Sequence, residues 1–221
     1  QTAVTNLVSN TGVVATDTAG VGTARQNLAA CSYGGDKGIF GYGYAGSSQS
    51  SLTNLVSNAG VVATDTTGVG TARGWLAACE YGDDRGIFGY GTGPLNITNL
   101  VSNTGVVGTD VSGVGTAREG LGGASYGSDK GIFAFNGHST PITNLVSNTG
   151  VVATDVSFTA TARGQIAGCE YGQDKAIFAY GSIPGPAVSN LSNLVSNTGV
   201  VATDVSGVGQ TRKYLAACSY N

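Results

Sequence analysis

Short apolar runs rich in Val, Ile, Phe and Tyr alternate with Gly, Asn, Asp, Ser and Thr along the whole chain. Runs of this length suit strands and are too short for ordinary helices, and strong helix formers are sparse. No apolar run approaches the ~18 residues needed to span a membrane, so membrane insertion is not expected.

The pattern repeats. Asn-Leu-Val-Ser-Asn begins at Asn6, Asn54, Asn99, Asn144 and Asn193. Each copy leads through Gly-Val-Val to an Asp preceded by Thr: Asp17, Asp65, Asp110, Asp155 and Asp204. A Gly-rich link follows, then an Arg: Arg25, Arg73, Arg118, Arg163 and Arg212. Next comes a run of small residues closed by Tyr, such as Leu28-Ala29-Ala30-Cys31. A segment of the type Asp-Lys-Gly-Ile-Phe-Gly-Tyr-Gly ends the unit, at Asp36, Asp84, Asp129 and Asp174 only. Four short strands per ~45 residues is the signature of a β-propeller blade. Units starting near residues 5, 53, 98, 143 and 192 predict an all-β, five-bladed propeller, with 1–221 as a single domain.

The unit resembles a Kelch blade. A first strand of small residues follows an Arg, a second carries an aromatic-aliphatic core and ends in glycines, a third follows an Asn, and a fourth leads to the next Arg. In the second unit these parts are 76–81, 86–91, 99–103 and 106–110, before Arg118. The chain departs from that family in lacking the usual Trp of the fourth strand and a strict Gly-Gly doublet. The repeat wording also resembles that of surface and tail proteins of marine phages and environmental sequences. This resemblance implies an extracellular or virion-surface location, with which the abundant Gly, Ser, Thr and Asn and the start at Gln1 agree.

The Ile-Phe strand occurs four times and the other parts five times. If the two chain ends share the fifth blade, that blade lacks its second strand. It then closes as three strands, borrows the arm at residues 1–4, or takes a strand from another molecule. A self-assembling structural role is the reading this favours. An alternative phase puts Asn-Leu-Val innermost and leaves only an outer edge strand missing.

Charge narrows the chemistry. The chain has 10 basic and 13 acidic residues, one His and 37 Gly, with a formal net charge of -3. That balance, with no basic stretch, gives nucleic acid no footprint. Most charges recur in every unit, so the repeated Asp and Arg are expected to form structural links, an Arg–carboxylate fork among them. His138 has no fixed carboxylate partner, and Glu80, Glu119, Glu170 and Asp83 show no pairing suited to glycosidase chemistry. No ligand spacing for a metal is evident, and no cofactor, metal or enzymatic activity is expected. The single Cys per unit, Cys31, Cys79, Cys169 and Cys218, with Ala124 at the third equivalent position, predicts free thiols packed between blades.

Asymmetric function must lie where the units differ. Two residues after each repeat Arg stand Asn27, Trp75, Gly120, Gln165 and Tyr214, and just before them Gln26, Gly74, Glu119, Gly164 and Lys213. Trp75, Tyr214, Asn27, Gln165 and Glu119 are the candidate binding residues, as a shallow face for cell-surface glycans or proteins. A lectin-like binder is therefore the alternative reading. Asn96 and Asn190 lie in glycosylation sequons.

Overall fold

The computed structural model describes residues 1–219, and it is all-β. Tyr220, which the repeat places at the end of the last small-residue strand, lies outside the described residues. The first unit contains β1 (Ala29–Tyr33), β2 (Lys37–Gly41), the small hairpin β3 (Tyr44–Ala45) and β4 (Ser48–Gln49), and β5 (Thr53–Val56). The second contains β6 (Ala77–Tyr81), β7 (Arg85–Gly91) and β8 (Leu95–Val101). The third contains β9 (Gly122–Tyr126), β10 (Lys130–Ala134), β11 (Ile142–Val146) and β12 (Val156–Ser157). The fourth contains β13 (Ala167–Tyr171), β14 (Lys175–Ala179) and β15 (Ser192–Val195).

Each unit folds as an antiparallel sheet with its Ile-Phe strand in the middle. In the first, Cys31 stands opposite Ile39 and Ile39 opposite Leu55. The same register recurs at Cys79, Ile87 and Leu100 and at Cys169, Ile177 and Leu194. The expected fourth strand is reduced. At 106–110 the structure has isolated bridges, Val107 to Val101 and Val111 to Thr98, in place of a continuous ladder. Only the third unit has a short fourth strand there, β12 on β11. The tight turn after Asn-Leu-Val-Ser-Asn explains this: Ser102 Oγ accepts from the Thr104 and Val106 N–H groups, so side-chain bonds replace ladder bonds.

The core lies between units. One cluster joins Tyr33, Ile39 and Tyr42 to Leu76, Phe88 and Val101 of the next unit. A second joins Ile87 and Tyr90 to Leu121, Phe133 and Val146, and a third joins Ile132 and Phe135 to Ile166, Phe178 and Val195. Glycine makes this stacking possible at defined points. A Cβ on Gly41 would lie 2.6 Å from the Phe88 ring, and one on Gly89 would lie 2.8 Å from the Phe133 ring.

The repeated charges connect through asparagine. Arg73 Nη2 donates to Asn99 Oδ1 at 2.7 Å, and Asn99 Nδ2 donates to Asp110 Oδ1 at 2.9 Å. Asp110 also accepts from the Thr71 N–H and hydroxyl. The relay recurs as Arg25–Asn54–Asp65, Arg118–Asn144–Asp155 and Arg163–Asn193–Asp204. This corrects the expected direct Arg–carboxylate fork. The Asn carboxamide stands between the two charges, and only Arg118 and Asp155 come within ion-pair distance, at 3.9 Å. Burial lowers the Arg pKa values, most weakly opposed by the distant carboxylates. For Asp65, Asp110, Asp155 and Asp204, burial acts to raise the pKa, but the Thr and Asn hydrogen bonds outweigh it and hold the carboxyl below its usual value. Each Arg from the second unit onward also lies over the ring at the end of the preceding unit's central strand: Arg73 over Tyr42, Arg118 over Tyr90, Arg163 over Phe135 and Arg212 over Tyr180.

Each chain end repeats part of the unit. Residues 5–18 form a hairpin bridged at Thr5–Thr18 and Val8–Val14. A Cβ on Gly60 would meet Leu7, as one on Gly105 would meet Leu55. At the other end, Arg212 O accepts from Gly181 N–H at 2.9 Å, as Arg73 O accepts from Gly43 N–H. The relay is not made in this unit. Asn6 Nδ2 donates to Asp17 Oδ1 at 2.8 Å, but no hydrogen bond joins Arg212 to Asn6 among the described residues, and Arg212 is exposed.

Candidate functional site: a five-residue mouth and a central cavity

The backbone at the variable position is unusual in every unit. Asn27, Trp75, Gly120, Gln165 and Tyr214 have φ of 52°, 55°, 66°, 54° and 60°. All five are left-handed, a conformation that costs a non-glycine residue roughly 1–2 kcal/mol. Backbone hydrogen bonds tie the five positions in sequence. Trp75 N–H donates to Asn27 O at 3.0 Å, Gly120 to Trp75 at 2.9 Å, Gln165 to Gly120 at 2.8 Å and Tyr214 to Gln165 at 3.4 Å. Four side chains are thus held in a left-handed backbone on one rim, as are Tyr42, Tyr90, Phe135 and Tyr180 at the ends of the central strands.

The rim surrounds a cavity of about 300 Å³. Leu28, Leu76, Leu121, Ile166 and Leu215, each the next residue in sequence, form its apolar wall. Trp75 and Tyr214 pack against each other across it, with ring centroids 5.5 Å apart. Gln165 Oε1 is buried there without a hydrogen-bond partner. An apolar pocket with a few convergent polar groups and two rings has the makeup of a small-ligand site. The structure therefore brings Asn27, Trp75, Gln165 and Tyr214 together. Glu119 is exposed and does not line the cavity, whereas Arg25 and Gln26 do.

A second cavity, of about 530 Å³, is lined by the small-residue strands of the four units, by Gly38, Ile39, Phe40 and Val56 of the first unit, and by Ala217, Cys218 and Ser219. The small-residue segments of all five repeats thus share this cavity. One residue past each Cys position stand Ser32, Glu80, Ser125, Glu170 and Ser219, all on this cavity. Sequence reasoning left Glu80 and Glu170 unpaired; a register in which their positions share one wall was the signal that would have joined them. Burial, and then the charge of Glu170, push the Glu80 carboxyl up to about 7. Burial also raises Glu170. Among the described residues, no group of three or more His, Cys, Asp or Glu side chains is placed to hold a metal ion.

The four cysteines are free. Those of the first two units wedge against the next unit, where a Cβ on Gly86 would lie 2.6 Å from Cys31 Sγ and one on Gly131 2.5 Å from Cys79 Sγ. Burial pushes the Cys31 thiol up to about 12 and raises Cys79 as well. Asn96 and Asn190, both half-buried, each donate from Nδ2 to a backbone carbonyl, Gly115 O and Gly209 O. His138 Nε2 lies 2.9 Å from Ser182 Oγ and links the third and fourth units. No helix among the described residues is long and apolar enough to cross a membrane. No protein-family model matches the chain, and no curated protein matches it either.

Proposed function

We propose that the chain is a non-enzymatic interaction and structural module of an extracellular or virion surface. It is a five-bladed, Kelch-like β-propeller that associates, with itself in the first instance, through an incomplete fifth blade. The observation that carries this is the contrast between blades. Arg73, Arg118 and Arg163 and their Asn partners are at most 1% exposed, whereas Arg212 and Asn6 face solvent. Val8 is 59% exposed, against 0% for its equivalents Val101 and Val146. An open edge flanked by apolar side chains is a template for pairing with another chain. The binding of most charges into repeated structural contacts supports a non-catalytic role. Light scattering of the native protein across a concentration range tests the reading. Mass that grows with concentration supports it, and a single monomeric species at every concentration sinks it.

A lectin-like role at the mouth is the second reading, favoured by the Trp75–Tyr214 pair beside the unpartnered Gln165 Oε1. Aromatic faces stack on sugar C–H groups and amides satisfy hydroxyls. Trp75 is the sole Trp, so its fluorescence reports directly. A saturable change with one class of glycan, lost in Tyr214→Ala, is expected; a flat response across a panel ends this reading.

A further inference from the structure

The mouth cavity holds one polar atom that the rest of the molecule leaves unused. Gln165 Oε1 is buried without a hydrogen-bond partner. The other buried side-chain atoms without a partner among the described residues are nitrogens of Arg25, Arg118 and Arg163, which share one repeat position. Gln165 is not of that kind. Its position carries Asn27, Trp75, Gly120 and Tyr214 in the other repeats, so no requirement common to the repeats places an acceptor there. A buried oxygen left without a donor costs roughly 1–3 kcal/mol, and an incoming donor offsets that cost.

The surroundings select the kind of donor. Leu28, Leu76, Leu121, Ile166 and Leu215 form an apolar collar in the same cavity of about 300 Å³. A hydroxyl that donates to Gln165 brings its own acceptor lone pairs into that collar, where they are costly; an amide N–H brings none. Anions are poorly served. The N–H groups of Trp75, Gly120, Gln165 and Tyr214 are all spent on carbonyls of the preceding repeats, so the rim offers them no backbone nest. Arg25 lines the cavity, but its Nη1 and Nη2 already donate to Leu52 O and Asn54 Oδ1. The Asn27 carboxamide, on the same cavity, makes no hydrogen bond among the described residues and is available to a ligand carbonyl. The Trp75 and Tyr214 rings add a face for sugar C–H groups.

We infer that the mouth binds a neutral sugar carrying an acetamido group. The inference rests on the lectin-like reading of this mouth and names its ligand class. The acetamido N–H donates to Gln165 Oε1, the methyl group enters the Leu/Ile collar, the carbonyl accepts from Asn27 Nδ2, and the sugar ring lies against Trp75. A hexose without the acetyl group leaves the collar empty and offers Gln165 only a hydroxyl. The cavity volume is at the lower end of the range for small-ligand sites, which suits a single sugar residue.

The test is titration of the full chain, read by the fluorescence of its sole Trp, Trp75. The probes are the methyl glycosides of N-acetylglucosamine and N-acetylgalactosamine, with methyl glucoside and methyl galactoside as the parent hexoses. Saturable binding of at least one acetamido sugar is expected, about tenfold tighter than its parent hexose. Saturation-transfer NMR on the unaltered protein should give the acetamido methyl the strongest signal of the ligand. Gln165→Leu is expected to weaken the acetamido sugar about tenfold and leave the hexose unchanged, with an unaltered urea midpoint as the control on folding. The inference is overturned, and the lectin-like reading left standing, if hexose and acetamido sugar bind alike, if the methyl receives no preferential transfer, if Gln165→Leu changes nothing, or if only another class of glycan binds. No response to any glycan ends both.

Discussion

The indole of Trp75 and the phenol of Tyr214 meet with their centroids 5.5 Å apart and their planes at 47°, although they belong to the second and the fifth units. Both have left-handed φ, and both are two residues past a repeat Arg. The contact therefore joins a residue near one chain end to the second unit, through rings at positions where the other repeats carry Asn27, Gly120 and Gln165. An aromatic pair of this kind contributes about 0.5–1.5 kcal/mol beyond the area it buries. Tyr214→Ala is expected to lower stability to urea by no more than about 1.5 kcal/mol, since Tyr214 is 59% exposed. Gln165→Gly is expected to be neutral or stabilising by up to ~1 kcal/mol, because it relieves φ strain and removes a buried unpaired oxygen. A loss above that size on Gln165→Gly, measured by urea titration, would show that the mouth is a structural element.

The asparagine relay separates the intact units from the open one. Asn144→Ala removes the acceptor for Arg118, which is 1% exposed, and leaves a buried guanidinium short of a partner. A loss of about 3 kcal/mol is expected. Asn6→Ala at the equivalent place in the fifth unit is expected to cost less than ~0.5 kcal/mol, because Asn6 is exposed. Equal losses at both positions would mean that the fifth unit is closed in solution by an Arg212–Asn6 bond.

Stability should depend on pH through the central cavity. Burial and the facing Glu170 raise Glu80 to about 7 in the folded chain, above the ~4.3 of an unfolded Glu. Between these values the folded protein retains a proton that the unfolded chain has released. Stability is therefore highest below about pH 4.5 for this group and falls as pH rises towards 7. Glu80→Gln is expected to flatten that slope. The gain at pH 8 should be about 1–2 kcal/mol, allowing for solvent screening of a partly exposed carboxyl. Urea titrations of both proteins at pH 5 and pH 8 check it; parallel slopes would place Glu80 in a solvated position.

The fit of thiols against glycines predicts a paired rescue. Gly131→Ala puts a methyl group 2.5 Å from Cys79 Sγ and is expected to cost about 1–3 kcal/mol. Adding Cys79→Ala reproduces the Ala124–Ala176 arrangement of the next junction and should recover most of that loss. A double-mutant cycle with no coupling would sever the link between these positions.

Strand lengths, the turn-rich spacers and the five-fold repeat made the all-β class legible from the chain alone, because period-2 burial and tight turns act over a few residues. The repeat phase also placed Asn27, Trp75, Gln165 and Tyr214 on one rim, since equivalent residues of stacked units must share a face. Glu119 did not follow the same logic: it is exposed and off the cavity, although Gln26 at the equivalent position lines it. The fourth strand failed because Ser102 and its equivalents take the turn N–H groups that a ladder would use.

What the sequence determined by itself is local and repeated: which segments extend, where they turn, and which side chains recur. What only the tertiary structure decided is which recurring groups meet across units. Asp and Arg recur together in every unit, yet Asn lies between them because its carboxamide can accept from one and donate to the other. Glu80 and Glu170 are remote in the chain and share one cavity because the small-residue strands of neighbouring units line it together. Such pairings depend on stacking order and register between units, and no short-range pattern in a chain encodes the distance between two residues that never neighbour each other in sequence.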